Sequence, residues 1–167
     1  MAHWQNHEKR LQDDVDKKWL HAARNAGLRK IKLTYCDLQR MNMCGYEVAL
    51  IGRDKYSNED MSYGTIRLTV LPGCCGYGVI HDMRLNHTHF KRGLAKMMLD
   101  VCKFLANEKL KLCGIIATIQ TNQMQAAGKL CTNHLGMKEV DVNASGRTSY
   151  LLTMFAKTFD YELKTTY

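Results

Sequence analysis

The stretch VIHDMRLNHTHFKRGLA, residues 79–95, is the part of the chain that says most about the fold. Its first half is typical of a buried strand, and its last residues open an amphipathic helix after a basic turn that contains Gly93. A glycine-containing turn at a helix N-terminus leaves backbone N–H groups free, and the helix dipole favours negative charge there. The segment therefore predicts a phosphate-binding turn. The alternative is an ordinary strand–helix connection with a basic, solvated edge.

Hydrophobic periodicity on both sides of this segment predicts an α+β chain. The predicted order is a helix at about 5–26, strands at 31–35, 46–53, 61–71 and 77–85, a helix at 93–110, a strand at 113–119, a helix at 123–134, and strands at 138–143 and 148–155. Residues 38–45 are ambiguous and fit a short helical turn. The unit 79–119 should form a right-handed crossover between two parallel strands. We expect a mixed, mostly antiparallel sheet flanked by helices, with this parallel crossover and a C-terminal hairpin, in one domain over 1–167.

Length and composition narrow the class of protein. A chain of 167 residues that is 46% hydrophobic can bury the core of one domain. Its longest apolar runs fall short of the roughly 18 residues of a membrane span, and the polar, acid-containing N-terminus differs from secretory and transit peptides. The seven cysteines lack paired CxxC spacing, so we expect no metal site, and Cys102, Cys113 and Cys131 should be buried small hydrophobes. These features predict a cytoplasmic protein without a membrane partner.

The positive charge of the chain concentrates around the proposed turn. The formal net charge is +8, and residues 84–111 hold seven basic residues against Asp100 and Glu108. Such a surplus suits a polyanionic ligand, either a phosphorylated cofactor or a nucleic acid, although a solvated helix face is the simpler explanation. Single-stranded nucleic acids are usually held by stacking aromatics, and this segment offers only Phe90 and Phe104. We therefore favour a compact phosphate ligand.

Two motifs in this region resemble those of a known family. Residues 90–95, FKRGLA, resemble the central motif of the GNAT superfamily of N-acetyltransferases, a strand followed by Gln/Arg-x-x-Gly-x-Gly/Ala at the start of a helix. Residues 121–137, TNQMQAAGKLCTNHLGM, resemble the family's Asn-x-x-Ala…Leu-Gly-Phe motif, in the right order and at the right spacing. The chain departs from the first motif at Phe90, where Gln or Arg is usual, and at Lys91, where Gly is common.

The resemblance implies an acetyl-CoA-dependent N-acetyltransferase, an acyltransferase in which a primary amine attacks the thioester directly in a ternary complex. By the same resemblance, main-chain groups of Met83, Arg84 and Leu85 would bind the pantetheine arm, and Asn122 would contact it from the other side of a splay between two strands. The turn that would hold the pyrophosphate comprises Lys91, Arg92, Gly93, Leu94, Ala95 and Lys96. The acceptor amine is left open, and a homodimer is possible.

Acetyl transfer to an amine needs a group that takes the ammonium proton and a group that protonates the leaving thiolate. His81 is the leading base, because it falls where arylalkylamine-type members of the family carry a histidine that relays a proton through water. Asp82 is the rival base, since the next residue of a strand should face the other side. The family's acid is a tyrosine whose place is taken here by Thr132, next to Cys131, and Tyr150 is a substitute by position only.

Other interpretations of the same features stay open. The chain could be a nucleic-acid-binding protein on this scaffold without transfer activity, or an acetyltransferase whose amine is carried on tRNA or a modified base. A third possibility is a degenerate domain that binds a partner, which the departures at Phe90 and Thr132 favour. His81 could also be a core or edge histidine bonded to a backbone carbonyl.

Overall fold

The elements of the fold follow the order that the sequence predicts. The computed structural model describes residues 2–38, 43–70, 76–86, 93–120, 127–140 and 152–159. The helices are α1 (Ala2–Asn25), α2 (Leu94–Phe104, continued by a π-helical turn at Leu105–Lys109) and α3 (Leu130–His134, also π-helical). The strands are β1 (Lys30–Leu38), β2 (Met43–Arg53), β3 (Asp60–Val70), β4 (Tyr77–Leu85), β5 (Gly114–Gln120), β6 (Lys138–Val140) and β7 (Leu152–Thr158).

The strands form one sheet whose order within the described residues is β1-β2-β3-β4-β5-β7-β6. Strands β1 to β4 are an antiparallel meander, β4 and β5 are parallel, and β7 pairs antiparallel with both β5 and β6. This architecture confirms the predicted α+β class, the parallel crossover and the final hairpin. Residues 38 and 43–45 are extended rather than helical, because Leu38 pairs with Met43 across a β1–β2 hairpin. The last strand was predicted at 148–155, but β7 runs from Leu152 to Thr158.

The core lies between one face of the sheet and the helices. Apolar side chains at alternating strand positions supply the sheet side of this core, including Ile31, Leu33, Val48, Leu50, Ile66, Leu68, Ile80, Ile115 and Ala117. Trp19 of α1 meets Phe104 of α2 edge to face, with ring centroids 5.0 Å apart. Cys102 and Cys131 are buried as predicted, but Cys113 is exposed because it precedes β5 at the end of the sheet.

Helix α1 also covers the free edge of β1. The Gln12 amide donates to the Ile31 carbonyl at 2.7 Å and accepts from the Leu33 N–H at 2.8 Å, while Glu8 accepts from the Tyr35 N–H at 3.4 Å. One helical turn of four residues advances about 6 Å and two strand residues about 6.7 Å, so the two spacings nearly match. These side chains satisfy edge groups that could otherwise pair with another chain. Among the described helices, none has both the length and the apolar composition for crossing a membrane.

Candidate functional site

The site is centred on a gap between β4 and β5. The two strands pair at four positions, from Tyr77 opposite Gly114 to Ile80 opposite Ala117. Beyond Ile80, β4 continues to Leu85 and β5 continues to Gln120 without further pairing between them. We call the space between residues 81–85 and 118–120 the β4–β5 opening. An unpaired strand edge of this kind can bind an extended ligand as if it were an added strand.

Three predicted ligand-binding residues line this opening through their backbone. Arg84 and Leu85 pair with β3 on one side, so the other edge of β4 faces the β4–β5 opening. The side chains of Met83 and Leu85 pack against the core, and that of Arg84 is exposed. The side chains of Met83 and Leu85 therefore hold the strand against the core, and the edge of β4 that faces β5 is unpaired at these residues.

The second part of the site is the N-terminus of α2. Gly93 is the N-cap residue, with a left-handed backbone (φ 71°, ψ 16°) that favours glycine, and no side chain of the described residues caps the helix. A Cβ atom added at Gly93 would meet no other atom within 4 Å. The N–H groups of Leu94, Ala95 and Lys96 have no partner within the helix, because the first turn lacks preceding carbonyls. This end of the helix is therefore suited to an anion.

The basic surplus extends well beyond this helix end. Lys109 lies 16 residues after Gly93, which is about 24 Å along a helix. It forms a salt bridge of 2.9 Å with Asp14 of α1, and its ammonium lies 5.6 Å from the Phe104 ring. Lys109 therefore links α1 to the end of the helix that begins at Leu94, where a positive charge interacts favourably with the helix dipole. In the described part of the first turn of α2, Lys96 is the basic side chain.

The proposed acid residues are only partly described. Of the predicted site residues, four lie outside the described ranges: Lys91, Arg92, Asn122 and Tyr150. Thr132 is exposed on α3, and its hydroxyl donates to the carbonyls of Gly128 and Lys129, at 3.2 Å each. Cys131 is fully buried, and burial raises the pKa of its thiol to about 11. Neither residue offers a free proton donor in this arrangement.

A bulge in β4 brings the two candidate bases together. The register between β3 and β4 shifts by one residue here, and Asp82 adopts a left-handed φ of 52°. Strict alternation predicts that His81 and Asp82 face opposite sides of the sheet, but a bulge interrupts that alternation. The Asp82 carboxylate lies 3.3 Å from His81 Nδ1. The expectation that the two side chains face opposite sides of the sheet is therefore wrong.

Three further residues complete what we call the His81 cluster, which also contains His81 and Asp82. Thr69 is buried, and its hydroxyl oxygen lies 2.6 Å from His81 Nε2. The Arg67 guanidinium lies 3.4 Å from the Glu47 carboxylate and 3.8 Å from that of Asp82. Sequence reasoning missed these three residues. Two of them could have been found from the alternation of β3, because it places Arg67 and Thr69 on the face of the sheet opposite the core.

The His81 cluster contains groups of the kind that carry out acid–base chemistry. It contains one imidazole in contact with a carboxylate and a hydroxyl, which is a grouping that can accept and stabilise a proton. Across the described ranges, no group of three or more His, Cys, Asp or Glu residues is placed to hold a metal ion.

Comparison with known proteins gives a match in structure and not in sequence. No protein-family model matches this chain, and no curated protein matches it. A Klebsiella pneumoniae protein described as an acyl-CoA N-acyltransferase matches with a TM-score of 0.53 and 13% identity, over 77% of this chain and 97% of its own. The Escherichia coli ribosomal-protein-S18-alanine N-acetyltransferase matches with a TM-score of 0.52 and 11% identity, over 74% of each chain.

A GNAT-family acetyltransferase from Desulfovibrio desulfuricans matches with a TM-score of 0.53 and 11% identity, over 68% of each chain. These identities are low, so the likeness concerns the fold. The resemblance seen in the sequence is confirmed at this level: the chain has the fold of the GNAT superfamily of N-acetyltransferases.

Proposed function

We propose that this chain is an acetyl-CoA-dependent N-acetyltransferase in which a primary amine attacks the thioester directly, within a ternary complex. The observation that carries the proposal is the β4–β5 opening, whose strand β4 precedes the N-terminus of α2 along the chain in a GNAT fold, an arrangement in which no described side chain caps that helix. An unpaired strand edge suits an extended amide-containing arm, and a helix N-terminus suits phosphate groups. A ligand that joins both features in one molecule is coenzyme A.

The residues of the opening fit this cosubstrate. The main chain at Met83, Arg84 and Leu85 would bind the pantetheine arm along the free edge of β4, with Asn122 on the other side. The N–H groups of residues 94–96 would hold the pyrophosphate, together with Lys91 and Arg92 of the preceding turn. Open space at Gly93 leaves room for a phosphate to approach the backbone. When bound, acetyl-CoA supplies an acetyl group activated as a thioester.

The His81 cluster supplies the acid–base chemistry in this proposal. His81 takes a proton from the acceptor ammonium, and the neighbouring Asp82 carboxylate stabilises the imidazolium that results. Tyr150 is the proposed acid for the leaving thiolate, because the Thr132 hydroxyl donates within its own helix. The buried Cys131 thiol, with its raised pKa, is a poor acid.

The test combines binding with turnover. Calorimetry should show that the protein binds CoA, and a panel of primary amines should release free thiol from acetyl-CoA, with mass spectrometry identifying the acetylated product. Binding without transfer to any amine would contradict the catalytic proposal and favour a partner-binding domain. Absence of CoA binding would contradict the assignment of the opening. A cytoplasmic location, a homodimer and a single domain over residues 1–167 stay predictions.

A further inference from the structure

We propose that Thr69 is a positioning residue that, together with Asp82, determines which nitrogen of His81 is basic. The inference rests on the proposed function, because it concerns the base of that reaction. The base of such a reaction needs only one free ring nitrogen, but His81 is in contact with other residues at both. Both ring nitrogens of His81 have a partner, at 3.3 Å on the Nδ1 side and 2.6 Å on the Nε2 side.

The chemistry of the two partners assigns the tautomer. The Asp82 carboxylate lies 3.3 Å from Nδ1 as an ion-pair partner, and a negative charge there favours the ring form that carries its hydrogen on Nδ1. In the neutral ring Nε2 is then the atom with the lone pair, and the Thr69 hydroxyl must donate to it. A hydrogen bond on one imidazole nitrogen commonly decides the role of the other. In His81 the carboxylate favours the Nδ1–H tautomer, and the Thr69 hydroxyl supports that form by donating to Nε2.

A hydroxyl is also suited to both protonation states of the ring. It has one hydrogen to donate and two lone pairs that accept, and it can rotate between the two roles. Thr69 can therefore donate to Nε2 of the neutral imidazole and accept from Nε2–H of the imidazolium. Its side chain is only 8% exposed, so water has little access to replace it. The imidazole can then change protonation state without leaving Nε2 unpaired.

The surrounding charges support this orientation. Arg67 of β3 and Glu47 of β2 are the other charged members of the His81 cluster, and Arg67 lies 3.8 Å from the Asp82 carboxylate. The guanidinium and the imidazole therefore lie against the same carboxylate. The left-handed φ of Asp82 is what places its carboxylate beside His81. The bulge, the cation and the hydroxyl thus act on the same ring.

The tautomer can be measured without any turnover. In ¹⁵N-histidine-labelled protein, the His81 resonances are those missing from His81→Ala, and their ¹⁵N shifts should report Nδ1–H at a pH where the ring is neutral. Thr69→Ser should keep this tautomer, and Thr69→Val should lose it or give a mixture. An Nε2–H tautomer in the wild-type protein would overturn the proposal even if Thr69→Val fails to fold.

Kinetics with the acceptor amine gives a second readout. Thr69→Val should lower kcat by about 10–100-fold with unchanged CoA affinity, and Thr69→Ser should retain most of the activity. The Thr69 hydroxyl accepts a hydrogen bond from the imidazolium and donates one to the neutral ring. Because hydrogen bonds to charged groups are stronger, removing the hydroxyl disfavours the imidazolium more than the neutral ring. The acidic limb of the kcat/KM profile should therefore move to lower pH in Thr69→Val.

A matched control is available on the same strand. Thr65→Val makes the same substitution two positions from Arg67 and outside the His81 cluster, and it should leave the pH profile unchanged. If Thr69→Val and Thr65→Val have the same profile and activity, the positioning role is wrong. If the wild-type protein transfers no acetyl group, the proposed function fails, while the NMR measurement still decides the tautomer.

Discussion

Gly93 offers a position where the charge of a new side chain can be separated from its bulk. Its φ is 71°, and an added Cβ would have no neighbour within 4 Å. Alanine, glutamine and glutamate should therefore carry the same backbone strain, about 1–2 kcal/mol, and their Cβ atoms meet no atom of the described residues within 4 Å. Urea unfolding should give similar free energies of unfolding for Gly93→Ala, Gly93→Gln and Gly93→Glu. Any difference in ligand affinity between Gln and Glu then reports charge.

The size of that difference follows from the position of Gly93 as the N-cap of α2. A carboxylate about 6 Å from one phosphate charge costs about 3 kcal/mol at an effective dielectric constant near 20, and about 0.7 kcal/mol at the value for water. We therefore expect Gly93→Glu to bind CoA about 5–100-fold more weakly than Gly93→Gln. Added salt should reduce the difference, since exposed charges are screened.

Calorimetric titration with CoA at two salt concentrations measures both effects. Gly93→Ala serves as the reference for strain, and its affinity should lie close to that of Gly93→Gln. Equal affinities of Gly93→Gln and Gly93→Glu at low salt would refute the reasoning, because they would show that no bound phosphate lies near this end of α2.

Four other outcomes are expected. His81→Ala should lower kcat by roughly 10²–10⁴-fold with little change in CoA affinity. The control His134→Ala, which loses a contact to Asp100 on the helical side of the sheet, should keep the wild-type kcat. If His81→Ala retains more than about half of the activity at pH 6–9, His81 is not the base. Gln12→Leu should lower the free energy of unfolding in urea by about 2 kcal/mol, because leucine removes both bonds to the β1 edge; an unchanged free energy would contradict this role. Burial, and after it the nearby Tyr35, raises the pKa of Tyr46 from 10 to about 12. The unfolded chain therefore ionises at lower pH than the folded protein, so the free energy of unfolding should fall between pH 10 and pH 12. Tyr46→Phe should lose less stability than the wild-type protein over this pH range. Nucleic-acid binding should be erased by salt and no tighter than about 10⁻⁶–10⁻⁴ M, and nanomolar, selective binding in gel shifts at physiological salt would favour an acceptor amine carried on RNA or DNA.

Local patterns in the sequence were sufficient for most of the fold. Strand alternation and helical spacing are set by neighbouring residues, so Ile66 and Leu68 revealed β3, and Leu94, Met98 and Val101 revealed the buried face of α2. The glycine turn at Gly93 was equally local. The insertion of β7 between β5 and β6 is a long-range pairing, and no local pattern specifies it.

The contact of α1 with the sheet edge could not be predicted for a different reason. The amphipathic pattern of α1 shows that Leu11, Val15 and Trp19 are buried, but it does not show where the polar side chains beside them lie. Gln12 and Glu8 reach the backbone of β1 because helix and strand run side by side with nearly equal repeats. The sequence offers two ordinary polar residues on a helix, and their role arises only once β1 is known to be the edge strand.

The candidate base shows how one irregular residue changes a chemical interpretation. A regular strand would put His81 and Asp82 on opposite faces, where they would be alternative bases. The left-handed backbone of Asp82 costs conformational energy in a non-glycine residue, yet it places a carboxylate beside the imidazole. The two residues then have different roles, since one accepts a proton and the other stabilises the result. Regular periodicity places His81 and Thr69 on the same face of the sheet, but only the bulge makes Asp82 a partner of the imidazole.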